Sequence, residues 1–189
     1  MTNILILEGI WGNHNRWEPF RKLLSKTVAQ SAIWKYDTSG STPPSESAKK
    51  LADYISAQPA EVAIVGYSMG GIVAREAARL LKDENIRAAA FLHSPHKGSI
   101  FGKLVDCPAT RELAPKSELI SGLISHRFPV MATWCPFDLV VVPGNSASLE
   151  CSRNLKINIP AHNAPVWANS IHREVIKFFS EQAKGDLET

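Results

Sequence analysis

The stretch Glu61–Arg75, EVAIVGYSMGGIVAR, decides the fold. Glu61–Tyr67 is a short apolar, β-branched run, the pattern of a strand buried on both faces. Residues from Gly70 to Lys82 read as a helix. Between them, Gly66-Tyr67-Ser68-Met69-Gly70 matches G-x-S-x-G. That pattern places a serine on a sharp strand-to-helix turn with strained backbone angles. The residues two before and two after it must be nearly free of side chain for the chain segments to pass. The turn also sets Ser68 near a helix N-terminus, where the dipole favours developing negative charge. Five residues alone are weak evidence, and the bland alternative is a glycine-rich turn with an idle serine. The strand running in and the helix running out favour Ser68 as a nucleophile.

The same alternation extends in both directions. Upstream lie a strand at Asn3–Glu8, a helix over Arg16–Gln30, a strand at Ser31–Tyr36 and a helix over Ser45–Gln58, which Pro59 ends. Downstream lie a strand at Ile86–His93 and a long irregular connection, Pro95–Phe128, with a helix near Lys116–Ile124. A strand at Val130–Trp134, a short helix over Pro143–Cys151, a last strand at Leu155–Ile159 and a closing helix over Val166–Ala183 complete the chain. This predicts an α/β fold with about six mostly parallel strands and helices on both faces, a single domain over residues 1–189. In such sheets ligands bind at the carboxyl ends of the strands.

Composition excludes several function classes. The 189 residues carry a net charge of +3, spread along the chain, and Lys49-Lys50 is the densest basic spot. No phosphate-binding stripe results, so no nucleic-acid partner is expected. No apolar run approaches the ~20 residues of a transmembrane segment, and Met1-Thr2-Asn3 lacks the basic start of a signal peptide. Cys107, Cys135 and Cys151 are odd in number and far apart, which fits reduced thiols in a cytoplasmic protein. No metal-ligand spacing and no cofactor motif is present. The sequence sets no oligomeric state.

The segment Gly66–Arg75, GYSMGGIVAR, resembles the G-H-S-M-G-G-x-V-A-R segment of α/β-hydrolase lipases. Ser94–Ser99, SPHKGS, resembles their T-P-H-x-G-S segment, and Arg111–Ser117, RELAPKS, the segment that often follows it. The opening strand with Gly9–Gly12, GIWG, is similar to their first strand and oxyanion loop. The resemblance covers most of the chain in order and is nearest to small bacterial lipases and esterases. Three residues depart from it: Tyr67 for the usual His, Ser94 for Thr, and Glu8 where these enzymes carry the His of H-G.

The resemblance implies a triad in the order Ser, acid, His. Among six histidines, His162 follows the last predicted strand, in a loop similar to the family's catalytic-His loop, and is expected as general base. His172 lies inside the closing helix and reads as a solvated or packed residue. Asp138, after the strand Val130–Trp134, is the expected acid, with Glu150 and Asp106 in reserve. Backbone N–H groups of Ile10 and Met69 are expected to form the oxyanion hole. Trp11, His14 and Trp17 are candidates for the substrate pocket, with core packing equally open for each. Arg75 reads as a structural ion-pair partner. Glu8 poses a question of charge, answered by pairing with Arg16 or Arg75, by protonation, or by slowed acyl transfer; pairing is the favoured reading. The implied activity is hydrolysis of carboxylic esters through an acyl-enzyme, by an esterase acting on short or medium acyl chains or by a small lipase, the esterase being favoured. A thioesterase is the near alternative, and an idle hydrolase-fold binding protein the alternative from another class.

Overall fold

Among the described residues, 3–150 and 153–184 of the computed structural model, six strands form one sheet. They are β1 (Asn3–Leu7), β2 (Ser31–Ile33), β3 (Val62–Tyr67), β4 (Ile86–Leu92), β5 (Val130–Trp134) and β6 (Arg153–Lys156). Their order is β2-β1-β3-β4-β5-β6, and every neighbouring pair is parallel. The helices are α1 (Glu18–Thr27), α2 (Pro44–Ser56), α3 (Met69–Leu80), α4 (Pro108–Glu112), α5 (Glu118–Gly122), α6 (Ala164–Trp167) and α7 (Asn169–Lys184).

Successive strand residues point to opposite faces, so one apolar run feeds two cores. Leu5, Leu7, Ile64 and Phe91 pack on one face with Leu51 and Ile55 of α2 and Ile72 and Val73 of α3. Ile4, Ile6, Val65 and Leu92 pack on the other with Phe20 and Leu24 of α1 and Ile171 and Val175 of α7. Each of these large side chains contributes about 1.5–3 kcal/mol by leaving water. Truncating any one to alanine costs that and leaves a cavity besides. The loops leaving the carboxyl ends of β1, β3, β4, β5 and β6 carry the site.

Several element bounds differ from the sequence reading. The helix expected over Arg16–Gln30 begins as a 3-10 turn, His14–Trp17, and becomes α-helical only over Glu18–Thr27. Pro19 sits in its first turn, where its missing N–H breaks no hydrogen bond. The second strand keeps only Ser31–Ile33. The helix expected over Pro143–Cys151 reduces to one 3-10 turn, Gly144–Ala147, with Pro143 just ahead of it; Cys151 lies outside the described residues. The last strand is Arg153–Lys156, ahead of the expected Leu155–Ile159. The long connection holds α4 and α5 as well as a 3-10 turn at Ile100–Lys103. No helix among the described residues is long and apolar enough to cross a membrane.

Candidate active site

The turn from β3 into α3 brings Ser68 to the carboxyl edge of the sheet. Ser68 has φ 52° and ψ −122°, a conformation that side chains rarely adopt and that costs of order 1–3 kcal/mol. The glycines around it are required by contact. A Cβ on Gly66 would lie 2.6 Å from the Gly71 Cα, so the motif's first position admits no side chain. A Cβ on Gly9 would lie 2.8 Å from the Ser68 Cβ, which shows how closely the loop after β1 passes the serine.

Two further loops complete the cluster. His162, between β6 and α6, places Nε2 2.9 Å from the Ser68 Oγ. Its Nδ1–H donates to Asp138 Oδ2 at 2.7 Å. Asp138 follows β5, and its Oδ1 accepts the N–H groups of Val140 (2.8 Å) and Val141 (2.9 Å). Burial pushes the Asp138 carboxyl up, but the His162 hydrogen bond and charge and the two backbone donors outweigh it and hold the group below its ordinary value. Asp138 is therefore an ionised, oriented acceptor at neutral pH. Among the described residues, the backbone N–H groups of Ile10 and Met69 take part in no hydrogen bond, as two donors awaiting an oxygen would require.

The pocket candidates separate. Trp11 lines a narrow cleft beside Ser68 with Ile10, Phe101, Leu113 and Val140. Its ring meets Phe101 edge-on and its Nε1–H donates to Ser39 O. Trp17 is fully buried against Tyr67 and Phe20, in the core. His14 lies outside the cleft, with Nε2 2.9 Å from Tyr36 O. For both, core or scaffold packing is the observed place. Glu150 is exposed, and Asp106 pairs at the surface with Arg111, so neither reserve acid meets His162.

Glu8 pairs with Arg16. The guanidinium donates Nε–H to Oε2 (2.5 Å) and Nη2–H to Oε1 (2.8 Å), and Oε1 also accepts the N–H of Gly9 (2.7 Å). The carboxylate is fully buried and thus anchors the loop that carries Ile10, while Arg16 also stacks over the Tyr67 ring at 5.3 Å. Glu8→Gln is expected to strand this cation. Because the Arg16 side chain keeps 31% of its exposure, the cost is set at about 2 kcal/mol, below that of a fully buried pair. A fall in Tm of about 4–8 °C follows, with kcat/KM of any ester changed less than threefold. Unchanged Tm with a several-fold faster reaction would mean that the carboxylate restrains chemistry instead of holding the loop.

Two residues near the cluster make contacts that the sequence reading did not assign to them. Tyr67 donates its hydroxyl to the His162 backbone carbonyl (3.2 Å), with its ring 5.2 Å from the imidazole. His93, fully buried at φ 48°, sets Nδ1 3.6 Å from Asp138 Oδ2. Burial lowers its imidazole to about 4, so it is neutral at physiological pH. Its position one residue past β4, at the same sheet edge, was the available signal. His93, Asp138 and His162 also present ligand atoms within 4.8 Å of one another, a set that could hold a metal ion. These three come from separate loops, so no spacing in the sequence announces them.

No family model matches the chain, and no curated protein matches its sequence. Solved structures do match its backbone. The mature lipase BlEst2 of Bacillus licheniformis superposes with a TM-score of 0.74 over 94% of this chain and 91% of its own, at 13% identity. The α/β hydrolase MGS-MChE2, from a lagoon-sediment metagenome, gives 0.73 over 96% and 92%, at 18% identity. The chain has the α/β-hydrolase fold. An esterase of Exiguobacterium antarcticum shares that fold, with a TM-score of 0.72 over 95% of this chain and 92% of its own, at 13% identity. Within the α/β-hydrolase fold, the loops after β3, β5 and β6 are those that bring Ser68, Asp138 and His162 together here.

Proposed function

We propose that the chain hydrolyses carboxylic esters through an acyl-enzyme. The observation that carries this reading is the continuous chain of hydrogen bonds from Ser68 Oγ through both nitrogens of His162 to Asp138 Oδ2. Ser68 Oγ attacks the ester carbonyl carbon while His162 Nε2 takes its proton. The carbonyl oxygen, now negative, meets the N–H groups of Ile10 and Met69. The imidazolium, stabilised by ionised Asp138, passes its proton to the departing alkoxide. Water, deprotonated by the same imidazole, then releases the acid.

The cleft supports a short acyl group. The leaving alcohol must receive its proton from His162, so it lies on the His162 side of Ser68. The cleft is lined by Ile10, Trp11 and Ser68 but not His162, and so serves the acyl side. Its volume of about 30 Å³ holds about two water-sized groups. The experiment is a chain-length series of p-nitrophenyl esters, assayed beside a butyryl thioester. Expected is saturable turnover with kcat/KM highest for acetate to butyrate and at least tenfold lower for octanoate. Absence of turnover across the whole series would contradict the reading, and a preference for the thioester would move the substrate class.

A further inference from the structure

Arg75, in α3, has no carboxylate at ion-pair distance among the described residues, contrary to its reading as an ion-pair partner. It is 5% exposed. Its Nε–H donates to His126 Nε2 (3.1 Å) and its Nη2–H to Ile124 O (2.7 Å). His126 in turn gives its Nδ1–H to Asp83 Oδ1 (2.9 Å), so the carboxylate reaches the guanidinium only through an imidazole. Burial lowers the guanidinium to about 10, against the pull of Asp83, and it stays charged at neutral pH. A buried cation without direct counter-charge is costly to the fold.

A cavity of about 280 Å³ opens beside this cation, with Arg75, His96, Lys97, His126, Ser148 and Glu150 among its walls. None of its lining residues belongs to the Ser68 cluster. His96 is 4% exposed, and among the described residues neither of its ring nitrogens has a hydrogen-bond partner. Burial, and next the charge of Arg75, hold its imidazole well below the ordinary value, so it is neutral. Lys97 adds a second positive charge at the exposed rim, with Glu150 opposing it there. The cavity has the size of a site for a small molecule rather than a polymer. With Nε–H and one Nη2–H of Arg75 given to His126 and Ile124, the Nη1 hydrogens and the second Nη2–H remain as paired donors that match carboxylate and phosphate oxygens.

We propose that this cavity binds a small molecule through a carboxylate or phosphate group seated on Arg75, with His96 beside it. The bound anion supplies the counter-charge that the fold leaves out.

Thermal unfolding of the full chain tests this. Inorganic phosphate and butyrate are titrated separately, at ionic strength matched with sodium chloride. At tenfold excess over Kd, Tm is expected to rise by about 3–5 °C above the chloride control. A rise with phosphate alone assigns a phosphate group, with butyrate alone a carboxylate, and with both either oxyanion. Arg75→Lys keeps the charge but loses the paired donors, and is expected to weaken binding at least tenfold. Ser148→Trp fills the cavity while leaving Arg75 in place, and is expected to abolish the rise even where Arg75→Lys fails to fold. No rise with either anion, or an undiminished rise in Ser148→Trp, overturns the proposal. The readout needs no ester turnover, so it stands or falls apart from the chemistry at Ser68.

Discussion

Ser68→Ala is expected to remove ester hydrolysis almost completely, by about 10⁶-fold in kcat, the scale on which loss of a triad nucleophile is felt. The fold should barely register the change. Ser68 sits at φ 52°, and alanine carries the same Cβ, so the strained turn is neither relieved nor worsened. Among the described residues, the side-chain hydroxyl makes one hydrogen bond, to His162. Losing it shifts stability by about 1 kcal/mol. Circular dichroism and thermal unfolding of the purified variant should therefore match the parent within a few degrees while turnover vanishes. Near-normal turnover in folded Ser68→Ala protein would remove the basis of the proposed function.

Asp138→Asn should cost about 10⁴-fold in kcat, and the hydrogen bonds explain why. Asp138 Oδ1 accepts from Val140 and Val141 N–H groups, and an asparagine oxygen can keep both bonds. Its amide nitrogen is then turned to His162 Nδ1, where the carboxylate now accepts. That nitrogen must become an acceptor, so the ring carries its proton on Nε2, facing Ser68. The imidazole is held in place but in the tautomer that cannot take the serine proton. The variant should also lose the electrostatic stabilisation of the imidazolium. A loss below about tenfold, measured on the best ester of the series, would mean that Asp138 is not the orienting acid.

The buried strands were legible because parallel strands covered on both faces are apolar throughout; β3, β4 and β5 begin and end within a residue or so of their sequence reading. The edge strand β6 was not. Its residues Arg153-Asn154-Leu155-Lys156 are mostly exposed and polar, so the eye falls on the apolar Ile157 and Ile159 that follow the pairing. Helix α1 was misplaced at its start because Trp17 fits helical spacing but belongs to the 3-10 turn ahead of Pro19. At the site, motif, loop order and resemblance point to Ser68, Asp138 and His162, and these three meet within hydrogen-bond reach. That Glu8 has a cationic partner followed from the rule that buried carboxylates are paired, but the choice of Arg16 over Arg75 came only with the structure. His93 was missed because the order Ser, acid, His directs attention past it, although it lies against the same carboxylate. That Arg75 has no direct carboxylate among the described residues was invisible, since sequence cannot tell a buried cation in an ion pair from one bonded to an imidazole and a carbonyl.

Labelling with a fluorophosphonate probe reports most directly on whether Ser68 is an activated nucleophile. The reagent reacts with a serine whose oxygen is deprotonated on attack and whose adduct is held by oxyanion donors. Digestion and mass spectrometry of the labelled, folded protein should find one adduct, on the peptide carrying Ser68, formed much more slowly in Asp138→Asn. No adduct on the folded protein, or an adduct on another serine such as Ser94 with Ser68 unmodified, would contradict the proposed chemistry.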